Sequence, residues 1–141
     1  MFILDTNVVS ELRRAASGNA DKNVVRWAAR VPPGELYLSV VTVLELEIGV
    51  LLVERLDPAQ GKLLRRWITE QVQPAFEGRV LDIDTVVAQR CARLHVPDPR
   101  SERDALIAAT ALVHGMTVAT RNVADFELLN VPLVNPWSSK R

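Results

Sequence analysis

The stretch Ser101-Glu102-Arg103-Asp104-Ala-Leu-Ile-Ala-Ala-Thr-Ala-Leu-Val-His114-Gly115-Met116-Thr-Val-Ala-Thr120-Arg121-Asn122 decides the architecture. Leu106, Ile107, Ala109, Leu112 and Val113 recur at helical spacing and His114-Gly115 is a C-terminal stop, which predicts a helix carrying Asp104 in its first turn. Met116 to Ala119 follows as a short apolar strand. The Ala-Ala-Thr-Ala centre of the helix lets a neighbouring backbone approach closely, so the helix reads as mostly buried. The polar residues at its two flanks then become candidates for a site on one edge of the fold.

Outward from this unit the chain alternates strands and helices. Phe2-Ile3-Leu4 reads as a buried strand, with turn and cap chemistry in Asp5-Thr6-Asn7 and a short helix from Val8 to Arg14. Val24, Val25, Trp27, Ala28 and Val31 mark a second helix, stopped by Pro32-Pro33-Gly34. Leu36 to Val40 is the next strand. Thr42 then opens an apolar helix, with Glu45 in its first turn. Asp57-Pro58 caps a helix striped by Leu63, Leu64, Trp67, Ile68 and Val72. Val80 to Ile83 reads as a third strand, Asp84 as the cap of a helix with Val87, Cys91 and Leu94, and Val96 to Arg103 as a polar loop. Asp125-Phe126 falls in a short turn or helix, and Val131 to Val134 is the last strand. Apolar strands lacking clean alternation, separated by helices, predict an α/β domain in three layers: a central, mostly parallel sheet with helices on both faces. A chain of 141 residues, 48% of them hydrophobic, supports one sizeable core, so residues 1–141 are expected to form a single domain.

Formal net charge is zero, so any attraction to nucleic acid must come from a local patch, a metal ion or a second protein. Cys91, the one cysteine, shares a helical apolar face with Val87 and Leu94 and reads as packing, with a reducing cytoplasmic compartment as the simplest setting. Met1-Phe2-Ile3-Leu4 has no basic segment before it, and Glu45 and Glu47 interrupt the longest apolar run; both features predict a soluble protein with no membrane span.

Four positions stand at helix starts or strand ends: Asp5, Glu45, Asp104 and the pair Asn122 and Asp125. Each has a purely local explanation, because Thr42-x-x-Glu45, Ser101-x-x-Asp104 and Asn122-x-x-Asp125 all fit a capping box and Asp5 can cap a helix. Helix starts in a parallel sheet nevertheless cluster beyond the strands' carboxyl ends, where several carboxylates repel one another unless a cation is bound. Oxygen ligands without thiolate or clustered histidine point to Mg²⁺ or Mn²⁺ and away from zinc. Such a site can hydrolyse a phosphodiester, leaving a 5′-phosphate and a 3′-hydroxyl. A metal-free ribonuclease would need a general acid and base, often histidines, yet His95 and His114 are isolated at helix ends. Gly61-Lys62 lacks the remainder of a phosphate-binding loop and reads as a surface helix position.

Asp5-Thr6-Asn7, Ser39-x-x-Thr42-x-x-Glu45 running into Leu46-Glu47-Ile48-Gly49, Asp104-Ala-Leu-Ile-Ala-Ala-Thr-Ala and Thr120-Arg121-Asn122-x-x-Asp125-Phe126 together resemble the PIN-domain toxins of the VapC type. Asn135-Pro136-Trp137 places the resemblance in their FitB-like branch. It implies a Mg²⁺-dependent ribonuclease, with Mn²⁺ as substitute, inhibited by a cognate VapB-type antitoxin. It also implies a homodimer that reaches DNA only through the antitoxin. Carried over by position, Asp5 and Asp104 match the principal metal ligands, Glu45 the third acid, and Thr6, Asn7 and Thr120 supporting groups. Asn122 departs from the aspartate that such members can carry, and Asp125 either compensates or only holds its turn. The resemblance gives the two tandem helices, Thr42 to Val53 and Asp57 to Val72, to antitoxin and dimer contacts, with Leu64, Trp67 and Ile68 either anchors there or packed on the sheet. Arg65 and Arg66 could meet RNA or an acidic partner, or be merely solvated. The competing class is a non-catalytic PIN-like interaction module, in which the acids cap helices or hold a structural ion.

Overall fold

The computed structural model describes residues 1–138. Five strands, β1 (Phe2–Leu4), β2 (Leu36–Ser39), β3 (Val80–Leu81), β4 (Thr117–Ala119) and β5 (Leu133–Val134), form one sheet in the order β3-β2-β1-β4-β5. Every pairing is parallel, with Phe2 opposite Leu36 on one side of β1 and opposite Thr117 on the other. The chain moves outward from β1 to β2 and β3, then returns across the sheet to β4 and β5. Strand order therefore reverses at β1, the kind of position where open parallel sheets leave a crevice beyond their carboxyl ends.

The strands do alternate, but between two cores. Ile3, Tyr37, Val118 and Leu133 face one apolar cluster, while Phe2, Leu4, Leu36, Leu38, Ala119 and Val134 face the other. An apolar residue on each face is what a strand covered on both sides requires, which is why no polar alternation is visible in the sequence. Helices α1 (Thr6–Arg13), α2 (Lys22–Arg30), α3 (Val40–Leu56) and α4 (Pro58–Trp67) contribute Val8, Val24, Trp27, Leu46 and Leu64 to the second cluster. A π-helical segment, Ile68–Val72, continues α4 into the short α5 (Gln73–Ala75). Helices α6 (Thr85–Leu94), α7 (Glu102–His114) and α8 (Val123–Glu127) cover the opposite face.

Helix α7 is as buried as its small residues imply: Ala105, Ala108, Ala109, Thr110 and Ala111 are all inaccessible. It ends at Gly115, whose φ of 67° is the left-handed conformation that favours glycine at this position. Cys91 packs among the α6 and α7 residues, and burial pushes its thiol pKa up.

The structure corrects three local expectations. Helix α3 begins at Val40, because the Ser39 hydroxyl takes the Val41 N–H at 3.0 Å and so caps the helix itself. Thr42 is thereby buried inside the first turn, and Glu45 sits one turn deeper than its spacing from Thr42 implied. Gly61 is no surface position: it is buried where α4 crosses α3, and a Cβ there would lie 2.5 Å from Glu54 Cα. The third and last strands are both shorter than the apolar runs that announced them, one ending at Leu81 and the other beginning at Leu133.

Candidate active site

Asp5 follows the last residue of β1 and is 5% exposed. Its backbone is still extended, at φ −69° and ψ 156°, and its N–H donates to Ala119 O of β4 at 2.9 Å, so the residue is fixed to the sheet's centre. The carboxylate is held from three sides. Oδ1 accepts the Thr6 N–H at 2.8 Å, and Oδ2 accepts the Thr120 hydroxyl at 2.7 Å and the Asn7 amide at 3.3 Å. Thr120, buried at the end of β4, in turn accepts the Asn122 N–H at 2.9 Å, which directs its own proton toward Asp5. Thr6, Asn7 and Thr120, which the family resemblance places beside the acids, all donate to the Asp5 carboxylate.

Glu45 reaches the same edge from α3. Its Oε1 accepts the Thr6 hydroxyl at 2.5 Å and its Oε2 lies 3.5 Å from Arg103 Nη1. Thr42 stands beneath, its hydroxyl 3.3 Å from that of Thr6 and 3.5 Å from the Leu4 carbonyl. Asp104 comes from the first turn of α7. Burial holds its carboxyl above the usual range, the charges of Asp5 and Asp125 add to this, a hydroxyl bond from Ser101 opposes it, and Glu45 contributes a smaller upward push. Burial likewise raises Asp5, against the lowering effect of the Thr120 and Thr6 hydrogen bonds, with the charge of Glu45 pushing it further up.

Capping does not account for this arrangement. Asp5 does cap α1, but the side chains of Ser101 and Asn122 accept no hydrogen bond from the first backbone N–H groups of α7 and α8. Asp5, Glu45 and Asp104 instead line one cleft of about 540 Å³ with Asn7, Asn122, Arg14, Arg121 and Trp137. Neither histidine lines it, and His95 Nδ1 is occupied by the Arg100 N–H at 3.1 Å. Asp125 stays outside the lining, although its charge is felt by Asp104. Arg121 and Trp137 enter the sequence reading only inside the Thr120-Arg121-Asn122 and Asn135-Pro136-Trp137 motifs, with no role of their own, and Arg14 carries no signal. Arg103 is visible only once α3 and α7 are seen to meet.

The donors available to a cation are all oxygens, from two carboxylates whose charges already disfavour one another. Among the described residues, no three His, Cys, Asp or Glu side chains stand together as a complete metal cage. Two carboxylates with room for water suit a small hard ion, since Mg²⁺ keeps several waters and is commonly held by one or two carboxylates plus substrate phosphate. Glu45 is kept back by Thr6 and Arg103. The set therefore fits Mg²⁺ better than Ca²⁺, which takes more protein oxygens.

Elsewhere, Ile68 is buried in the core, with Leu64 and Trp67 partly buried against it, so these three pack inward. Arg65 is occupied by Glu47 at 2.7 Å and lies 3.5 Å from Glu54, while Arg66 pairs with Glu70. Helices α3 and α4 leave Val43, Leu44, Leu51, Leu52, Leu56 and Leu63 exposed. No helix of the described residues is long and apolar enough to cross a membrane.

Residues 2–129 match the PIN domain. The chain is 36% identical to VapC ribonuclease Y4jK of Sinorhizobium fredii, over 97% of this chain and 98% of that protein. It is also 36% identical to Toxin FitB of Neisseria gonorrhoeae, over 97% and 99% of the two chains. Among solved structures it is similar to FitAB bound to an IR36 DNA fragment, with a TM-score of 0.89, 34% identity, and coverage of 100% of this chain and 99% of that one. The FitAcB complex from Neisseria gonorrhoeae gives a TM-score of 0.87 at 35% identity, covering 97% of this chain and 99% of that one.

Proposed function

The chain belongs to the PIN-domain family, among VapC and FitB relatives, and from that membership we propose that it is the toxin of a type II toxin–antitoxin pair. In this reading it is an endoribonuclease that works with Mg²⁺ or Mn²⁺ and is neutralised by a cognate VapB-type antitoxin. One observation carries the chemistry: Asp5 and Asp104 converge at the strand-order reversal in an open cleft, both with carboxyls raised by burial and neighbouring negative charge. A structural core would not collect uncompensated acids there without a cation to offset them.

Asp5 and Asp104 are the residues that would hold the ion. A divalent cation, when bound, supplies positive charge to a phosphate oxygen and acidifies water. The chain's own groups do the positioning. Thr120, Thr6 and Asn7 hold both oxygens of Asp5 in one orientation, by the logic that supported ligands bind better. Glu45, shared between the Thr6 hydroxyl and Arg103, keeps a negatively charged oxygen at the edge of the cleft, where it can take a proton from attacking water. Attack at phosphorus breaks the bond to the 3′-oxygen and leaves a 5′-phosphate and a 3′-hydroxyl.

The exposed apolar stripe on α3 supports a homodimer and antitoxin contacts, and the FitAB structure bound to a DNA fragment supports a toxin–antitoxin complex that engages DNA, a contact this reading gives to the antitoxin. Asn122, neutral on the cleft wall, favours a non-catalytic interaction module as the second reading. Purified, partner-free protein incubated with total cellular RNA in Mg²⁺, Mn²⁺ or chelator separates the two. Metal-dependent cuts with 5′-phosphate ends, abolished in Asp5→Asn and Asp104→Asn, are expected. A folded protein that cuts under neither metal refutes the nuclease.

A further inference from the structure

The cleft that holds the acids also holds Arg121, which stands over the indole of Trp137, its guanidinium carbon 5.3 Å from the ring centre. Trp137 is itself fixed: its N–H donates to Asn135 Oδ1 at 3.0 Å, its carbonyl accepts from Asn23 Nδ2 at 2.9 Å, and its ring packs against the core cluster containing Trp27. A flexible arginine is thereby given a rigid, pre-oriented seat beside Asn122 and Asp5, which lowers the entropy it gives up on gripping a ligand.

The turn that seats Arg121 also walls a second cavity of about 160 Å³, lined by Asn135, Pro136, Asn23, Arg26 and Arg30. Arg26, Arg30 and Arg121 make no carboxylate ion pair among the described residues, in a chain whose formal charges cancel overall. Arginines that serve the fold are held by carboxylates, as Arg65 is, or by backbone carbonyls and a ring, as Arg79 is. Three without such a pair, on the two flanks of one turn, form a local positive track that starts at the hydrolytic acids. A ligand lying along it presents anionic groups in series and one of them to Asp5, which is the description of a phosphodiester strand more than of an acidic peptide.

We propose that a single RNA strand leaves the acid cluster across the Asn135–Trp137 turn, with Arg121 holding the phosphate beside the reacting one and Arg26 and Arg30 holding phosphates beyond it. This rests on the nuclease reading above and adds the path of the substrate. Arg121 touches the strand, whereas Trp137 is a positioning residue acting through it.

The test uses full-length, partner-free protein and a short mixed-sequence RNA labelled at its 5′ end. Fluorescence anisotropy is read in chelator, where no cutting competes, across a series of salt concentrations. Arg26 and Arg30 are exposed, so Arg26→Ala with Arg30→Ala leaves the fold intact. The double variant should lower the salt slope of log affinity by about 1.4, at about 0.7 for each single-strand phosphate that is no longer neutralised. In Mg²⁺ it should raise KM with kcat unchanged. Trp137→Ala should raise KM, and Trp137→Phe, which keeps a ring under Arg121, should restore it; a purely structural tryptophan would instead show reduced thermal stability without that recovery. A double variant with an unchanged salt slope and unchanged KM overturns the track and leaves the nuclease standing. A wild type that does not cut, paired with the expected slope change, refutes the nuclease and keeps the track as an RNA-binding surface. Failure to capture the co-expressed antitoxin with unchanged RNA affinity assigns the arginines to the protein partner and overturns the proposal.

Discussion

Gly61→Ala should destabilise the protein even though alanine is the better helix former. The alanine Cβ would lie 2.5 Å from Glu54 Cα and 2.8 Å from Glu54 N, both backbone atoms that no rotamer change can move. Ordinary carbon–carbon separation is near 3.5 Å, so α4 has to withdraw from α3 by about 1 Å. That withdrawal strains the Arg65–Glu47 pair, with its bonds of 2.7 and 2.8 Å, and loosens Ile68 and Leu64 in the core. Overpacking of this kind costs about 1–3 kcal/mol, and helix propensity returns at most about 1. A net destabilisation of up to about 2 kcal/mol lowers Tm by up to about 4–8 °C in a domain of this size. The control is Gly49→Ala on α3, where a Cβ meets nothing within 4 Å and propensity alone should add up to about 1 kcal/mol. Thermal and urea unfolding of both variants, partner-free, measures the contrast. If Gly61→Ala stabilises as Gly49→Ala does, the tight crossing of α3 and α4 is wrong.

Other consequences concern the cleft. Asp104 has a raised carboxyl in the fold, so the metal-free native state binds more protons than the unfolded chain just above the ordinary carboxylate value of 3.8, and stability falls as pH rises from there through the raised value. Asp104→Asn should therefore raise the Tm of metal-free protein at pH 7 and remove the further rise that Mg²⁺ gives the wild type; a lower Tm would return Asp104 to a structural role. Thr120→Val removes the buried 2.7 Å bond to Asp5 with little change of shape, and should weaken Mg²⁺ binding or cleavage by about 10- to 100-fold, read by metal titration of activity. Asn122→Asp adds an acid to a lining that already holds Asp5, Glu11, Glu45 and Asp104, and should tighten Mn²⁺ binding measured by calorimetry, with no change expected if its side chain points away from the ion.

The sequence revealed what local pattern controls. The α7 helix with its glycine stop and the strands with their parallel arrangement follow from periodicity and cap chemistry, whereas the donors around Asp5 are legible only through the family resemblance. What it hid depends on which element meets which. Thr42 and Ser39 are equally good caps by type, and only the packing of Thr42 under Thr6 decides for Ser39. Gly61 looks like any helix glycine until Glu54 is brought against it. Arg103 and Arg121 are ordinary surface arginines in one dimension and meet Glu45 and Trp137 only in the folded chain.

Asp5 is tied to β4 twice, through its own N–H to Ala119 and through its carboxylate to Thr120. These are bonds between two central strands, so the amide of Asp5 should exchange with solvent only when the whole sheet opens. Local fraying of a loop therefore does not release Asp5. On the proposed toxin reading, whatever restrains this residue would arrive from outside and cover the cleft, and removing that cover would return Asp5 already in place.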